Sequence, residues 1–202
     1  MKVEMTNDQF TQVMKNIEKL VSQEVLVGVP ASGADRDDGP INNAQLLYLH
    51  NFGGTIQIPA HDRPIYRKVD KQGNLMNGGR FAKRAKSNFE TTAHVEAYTV
   101  TIPPRKVLEP GIEKKKDQIA GKLANAAKAA IDGKNEQAEN DMSAAGLIAQ
   151  NGVRAEFGGD SLQPLSDNTI KNRRSRGRTG DKPLLDTGEL RNSITYVKRK
   201  KR

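Results

Sequence analysis

Apolar residues recur at three- and four-residue steps from Phe10 to Val21. Phe10, Val13, Met14, Ile17, Leu20 and Val21 fall on one face of a predicted helix, and the stripe reads as core packing. Thr6 and Gln9 form a capping-box pair ahead of it, and Asp8 suits the positive helix end. The period then changes to two. Over Glu24 to Val29, Val25, Val27 and Val29 point one way and Leu26 and Gly28 the other, which predicts a strand. Ala31 to Pro40, rich in Asp and Gly, reads as a loop. A second helix begins at Asn42 or Asn43, either of which can cap it. It places Ala44, Leu47, Tyr48 and Asn51 on one face and stops at Gly53-Gly54. Thr55 to Ile58 is a short strand closed by Pro59.

Farther on, Ile65 to Met76 reads as a hairpin around Lys71-Gln72-Gly73-Asn74, and Asn77 to Asn88 is Gly-rich and basic. Ala93 to Ile102 predicts a strand ended by Pro103-Pro104. Two helices follow. One covers Ile112 to Asp132, with Ile119, Leu123, Ala127, Ala130 and Ile131 as its buried stripe and Gly133 as its stop. The other covers Asn135 to Glu156, with Ala138, Met142, Ala145, Ala149 and Val153 on one face. Such Ala-rich faces let two antiparallel axes approach closely. Past Gly158-Gly159, Ser166 caps a short helix through Lys171 and Asn172 to Lys182 reads as a mobile loop. Leu184-Leu185 returns to the core, and Ser193 to Val197 is a last strand. The predicted class is α+β: a small, mostly antiparallel sheet packed with an N-terminal helix and a long helix pair, plus a strand-rich insertion.

Composition narrows this picture. Only 35% of the 202 residues are hydrophobic and 4% aromatic, so the core is small, built from Ile, Leu, Val and Ala, and part of the chain is expected to be completed by neighbours. The absence of Cys removes disulfides and thiolate chemistry. Met1 to Lys15 lacks the apolar run of a signal peptide, and no stretch reaches the roughly 20 apolar residues of a membrane span. The formal charge is +9, which raises nucleic acid or acidic proteins as partners. Two clusters stand out: Arg173, Arg174, Arg176 and Arg178, and the C-terminal Lys198, Arg199, Lys200, Lys201 and Arg202, read as a loop and a solvated tail. Both are candidate contacts to phosphate or to an acidic protein surface.

Candidate chemistry is sparse. Leu184-Leu185-Asp186-Thr187-Gly188 resembles the active-site string of aspartic proteases, which need paired carboxylates and a long all-β segment after the Gly. Little chain follows Gly188, and Glu189 puts a charge where those enzymes carry a small residue. The structural reading is that Asp186 or Thr187 caps a turn, Gly188 relaxes it, and Leu185, Leu190 and Ile194 pack inward. Asp35, Asp37, Asp38 and Gly39 lack the ligand alternation and closing Glu of a calcium loop. His50, His61 and His94 sit in separate segments without a partner at helical spacing and read as surface or capping residues. There is no phosphate loop and no nucleophile elbow. No catalytic residue, cofactor or metal is expected.

Several strings, in order, resemble one family. They are Val27-Gly28-Val29-Pro30; Leu49-His50-Asn51-Phe52-Gly53; Ile58-Pro59-Ala60; Pro103-Pro104-Arg105-Lys106-Val107-Leu108; Pro164-Leu165-Ser166-Asp167-Asn168-Thr169-Ile170; and Leu185-Asp186-Thr187-Gly188-Glu189-Leu190-Arg191-Asn192-Ser193-Ile194. Together they resemble the tail-completion and virion-morphogenesis family of long-tailed bacteriophages, whose closing signature is matched by Leu185, Asp186, Thr187, Gly188, Leu190, Ser193 and Ile194. In that family the Ile-Pro-Ala and Arg-Lys-Val-Leu elements lie close together. Here they are far apart, so residues 1–60 and 98–202 read as the main domain, 61–97 as an inserted arm and 198–202 as a basic tail. The resemblance implies an α+β subunit in a ring of about six copies in the virion neck, made in the host cytoplasm. The ring would join a head connector or stopper protein to a tail terminator or tail tube protein. Genome DNA would pass through its channel without specific binding. A tail terminator or minor tail protein, and a basic nucleic-acid-binding protein, are the alternative expectations.

Overall fold

The structure, a computed structural model, describes residues 7–36 and 41–201. Thr6 of the capping pair, Asp37, Asp38 and Gly39 of the acidic loop, and Arg202 lie outside the described residues. In chain order the elements are α1 (Asn7–Val21), β1 (Gln23–Gly28), α2 (Asn43–Phe52), β2 (Gly54–Ile58), β3 (His61–Arg67), β4 (Phe89–Val95), β5 (Tyr98–Ile102), α3 (Leu108–Glu113), α4 (Lys116–Ile131), α5 (Asn135–Glu156), α6 (Asp167–Ser175), α7 (Glu189–Ser193) and β6 (Thr195–Lys200). The fold is α+β, with antiparallel two-stranded ladders. The chain divides into two units, one of Met1–Gly53 with Pro103–Arg202 and one of Gly54–Ile102. The second unit is wider than the 61–97 segment read from the sequence, because β2 pairs with β5 and both therefore belong to it.

In the first unit α5 is the central element, touching α3, α4, β1 and β6. Its predicted face, Ala138, Met142, Ala145, Ala149 and Val153, is buried throughout. A larger cluster joins Val153 to Leu47, Val107, Phe157, Leu162, Leu190 and Ile194. The long helix expected from Ile112 is broken at Lys114-Lys115 into α3 and α4. The face of α4 turned inward matches the predicted one only at Ala130, with Ile119 half-buried. Ala126, Ala129 and Ala130 are buried, whereas Leu123 is 41% and Ile131 52% exposed. The physical reason is proximity: small side chains let α4 and α5 approach, and branched ones would hold them apart. At this seam Lys122 reaches the buried carboxylate of Asp141 at 3.2 Å, and Gln137 donates to the same group at 2.9 Å. Hydrogen bonds from Gln137 first, then Lys122, hold the Asp141 carboxyl below its ordinary range despite burial.

The stripe of α1 departs further from expectation. Val13, Ile17 and Leu20 are half-buried, but Phe10 and Val21 are each 55% exposed and Met14 is 41% exposed. Its closest approach to the core is through Leu20, against Ala129, Ala130 and Ala138. The helix forms from its periodicity; half of its apolar stripe, Phe10, Met14 and Val21, is left uncovered among the described residues. β1 pairs with β6 from Gln23↔Lys200 to Gly28↔Thr195, so the last strand extends past the predicted Val197.

α2 starts from Asn42, whose side chain accepts from the Gln45 N–H while Gln45 returns the bond to the Asn42 N–H. Its buried face is Asn43, Leu47 and Asn51; Tyr48, expected there, is exposed and lies against Phe52.

The second unit is a two-stranded ribbon. β2–β5 and β3–β4 share one register: the pairing of Ile58↔Tyr98 resumes at His61↔Val95, skipping only Pro59-Ala60 and their opposites Ala97 and Glu96. Pro59 has no N–H to give the ladder, which accounts for the gap and for the division of the predicted Ala93 to Ile102 strand. The hairpin expected over Ile65 to Met76 is not the main pairing. Ile65 sits opposite Thr91, and only Val69↔Leu75 pair across the turn that Asp70 closes with bonds to the Gln72 and Asn74 N–H groups. Through β2 and β5, Ile56, Ile58, Tyr98, Val100 and Ile102 line one face and Thr55, Gln57, Thr99 and Thr101 the other.

One close approach in the first unit is directly testable. A methyl group on Gly111 of α3 would lie 2.5 Å from the Val153 Cα of α5, and one on Gly152 would meet the Gly111 carbonyl. Gly152→Ala is expected to force α3 from α5 and lower stability by about 2 kcal/mol, read as a lower urea midpoint with unchanged slope.

Candidate functional site

Three of the strings singled out in the sequence meet in space. Asn51 of α2 is fully buried, and its side-chain oxygen accepts from the Val107 N–H at 3.0 Å and the Leu108 N–H at 3.3 Å. Its amide nitrogen faces a Glu109 carboxylate oxygen at 3.3 Å. These are the otherwise unpaired donors at the start of α3, so a residue in one helix caps another far along the chain. The backbone N–H of Arg105 donates to the His50 carbonyl at 2.6 Å, and the Arg105 guanidinium donates to the carbonyls of Gln163 and Pro164 at 2.8 and 3.1 Å. Just beyond, Ser166 caps α6 by accepting from the Thr169 N–H, and α6 runs to Ser175 rather than stopping at Lys171.

The closing signature completes the same core. Leu190 and Ile194 are buried, and Leu185 and Leu184 pack partly buried against them. Leu184 holds a left-handed backbone at φ 60°, unfavourable for a branched side chain. Arg173 fixes the surrounding loop by donating to the carbonyls of Gly180, Lys182 and Leu185 at 2.9 to 3.1 Å. Of the two residues expected to cap the turn, Thr187 does so and Asp186 does not. The Asp186 carboxylate pairs with Arg173 at 3.5 Å and with Arg178, and Thr187 faces the Glu189 N–H at a long 3.4 Å. Gly188 takes φ 81° and leads into α7, where Ser193 donates to the Leu190 carbonyl at 2.8 Å.

The basic clusters are therefore partly committed within the chain. Arg173, in α6, and Arg178, in the loop that follows, both pair with Asp186. Lys198 and Arg199 lie in β6, not in a solvated tail: Lys198 pairs with Glu139 at 2.9 Å and Arg199 with Glu24 at 2.7 Å. Hydrogen bonds from Lys198 and then Gln23 lower the Glu139 carboxyl. Arg174, Arg176, Lys200 and Lys201 are exposed. His94 is paired with Asp62 at 2.7 Å and His61 faces the Pro59 carbonyl. His50 departs from the surface reading: it is half-buried, and burial first, then Arg105 and Arg36, push its pKa below the ordinary 6.5.

A further cluster escaped the sequence reading. At the end of the ribbon, Lys68, Asn77, Gly78, Arg80, Phe81, Ala82, Lys83 and Lys86 line an open cleft of about 840 Å³. The three-residue spacing of Arg80, Lys83 and Lys86 was a usable signal, but only the turn geometry brings Lys68 beside them. Among the described residues, no group of three or more His, Asp or Glu is placed to hold a metal ion, and no helix is long and apolar enough to cross a membrane. No protein-family model matches this chain, and no curated protein or solved structure proves similar to it.

Two outcomes are expected. Asn51→Ala leaves two N–H groups at the start of α3 without their partner and is expected to cost about 3 kcal/mol in chemical denaturation, more than a surface Asn→Ala change. For His50, the lowered folded pKa means the unfolded chain binds the proton more readily. Its stability contribution is complete above pH 6.5 and is lost as pH falls toward the folded value. Urea midpoints between pH 7.5 and 5.5 are expected to fall less steeply in His50→Gln than in the parent.

Proposed function

We propose that the chain is a structural subunit of a tailed-phage neck, a tail-completion protein acting in a ring of about six copies. The ring joins the tail to the head connector or stopper and leaves a channel for DNA. One observation carries this reading. The strings that resemble the family in order along the sequence also support one another in the fold. Asn51 holds Val107 and Leu108, Arg105 holds Gln163 and Pro164, and Leu190 and Ile194 close the same core. Strings that meet this way support the resemblance over a chance sequence of short matches.

The surfaces support assembly as well. Ring closure uses heterologous contacts, one face of a subunit against a different face of its neighbour. The uncovered apolar residues of α1, Phe10, Met14 and Val21, offer one such face. The ribbon offers another, because Ile56, Tyr98 and Val100 are 38 to 48% exposed along a two-stranded element that has little stability of its own.

Quantitative mass spectrometry of purified virions is expected to give about six copies per particle, and electron microscopy to place them at the head–tail junction. Absence from the virion, or a single copy, would remove the reading. Introducing negative charge on the α1 face, as in Phe10→Glu with Met14→Glu, is expected to leave the subunit folded and to yield separate heads and tails.

A further inference from the structure

We propose that the far end of the ribbon is a binding site for the phosphate backbone of double-stranded DNA, independent of whether the chain works in a phage neck. The segment from Lys68 to Asn88 carries Lys68, Lys71, Arg80, Lys83, Arg84 and Lys86 against a single acid, Asp70. None of those six cations is in an ion pair among the described residues, whereas Arg173, Arg178, Lys198 and Arg199 are all paired. The one acid is turned into its own loop. Asp70 accepts from the N–H groups of Gln72 and Asn74 and from the Asn74 side chain at 2.8 to 3.2 Å. The positive field at this end is thus uncompensated from within.

The shape favours DNA over an acidic protein. Four of the cations, Lys68, Arg80, Lys83 and Lys86, line one open cleft, and its wall at Asn77 and Gly78 is a left-handed turn with φ 55° and 62°. A protein interface of this size would intersperse signs and supply an apolar pocket. Here the charge has one sign, and the prominent apolar group, Phe81, is 67% exposed and held under the Arg67 guanidinium at 5.3 Å. A two-stranded ribbon also fits the width of the DNA major groove, while the corresponding groove of an RNA duplex is deep and narrow. With Phe81 the one aromatic lining the cleft, base stacking contributes little, so recognition is of backbone and not of sequence.

The test is fluorescence anisotropy of the full chain with a labelled 20-base-pair DNA duplex over 50 to 200 mM salt. Four phosphate contacts predict a log–log slope of about −3.6, close to a 150-fold loss of affinity across that range. Lys68→Ala, Arg80→Ala, Lys83→Ala and Lys86→Ala combined are expected to lower affinity at least 30-fold and flatten the slope, with the circular dichroism spectrum unchanged. Arg174→Ala with Arg176→Ala, which removes exposed charge from the other unit, is expected to change affinity less than twofold. The proposal is overturned if the fourfold variant keeps parental affinity, if the control pair loses as much as the fourfold variant, or if an RNA duplex of equal length binds as tightly. It is equally overturned if polyglutamate of matched charge displaces the duplex as well as unlabelled DNA does. Loss of ring assembly in virions would leave each of these outcomes unchanged, so the two proposals fail separately.

Discussion

The side-chain amide of Asn51 has no access to water, and two N–H groups of a distant segment depend on its oxygen. A buried amide left without partners costs more than a surface contact returns, so this cap constrains both sides at once. α2 must present Asn51 inward, which places Leu47 on the same face one turn earlier in the core. The start of α3 must come to it, which brings Val107 to full burial and sets the path of the chain into the Gly111–Gly152 crossing with α5. Arg105, two residues before Val107, then ties the loop after α5 by its carbonyls. The remaining closing elements, α7 and β6, follow because Leu190 and Ile194 fill the space these constraints leave.

Around that polar clamp the apolar supply is thin. The helix pair α4–α5 is joined by alanines, which bury little area each but allow backbones to come close, and by buried carboxylates answered by lysines. Asp141 meets Lys122 of α4, and Glu156 meets Lys114, at the end of α3, at 2.8 Å. Such pairs fix register more than they add net stability, since desolvation offsets much of their attraction. The larger apolar groups of α1 and α4, among them Phe10, Val21, Leu123 and Ile131, are spent outward. A subunit arranged this way has a determined interior and a surface that gains by association.

The second unit obeys a different constraint. A ribbon of two strands has no second layer, so each residue has one face toward solvent and stability comes from cross-strand pairs and turn chemistry. Asp70 organises the small turn, and Asn88 clamps Val69 through both its N–H and carbonyl at 2.8 Å. These local bonds let a glycine-rich, basic segment hold a defined shape without a core. The one acid of the segment, Asp70, is held by the turn it closes, and none of the six cations is in an ion pair among the described residues.

The sequence alone determined the periodic elements. The helix at Asn135–Glu156, its buried face, an Asn cap at 42 or 43, and the stop at Gly133 with φ 77° are all local consequences of spacing and backbone preference. The α+β class follows from the same patterns. What tertiary structure decided was which apolar face found a partner. The stripe of α1 and the face of α4 through Leu123 and Ile131 have the same period as a buried stripe, and only the closeness of α5 selects the alanines instead. Pairing across distance was equally hidden. β2 meets β5, Asp186 meets Arg173 and Arg178, and Lys198 meets Glu139, because each partner is brought there by chain segments that sequence spacing does not encode. Local sequence sets what a segment can form; burial and charge are settled by what the rest of the chain places beside it.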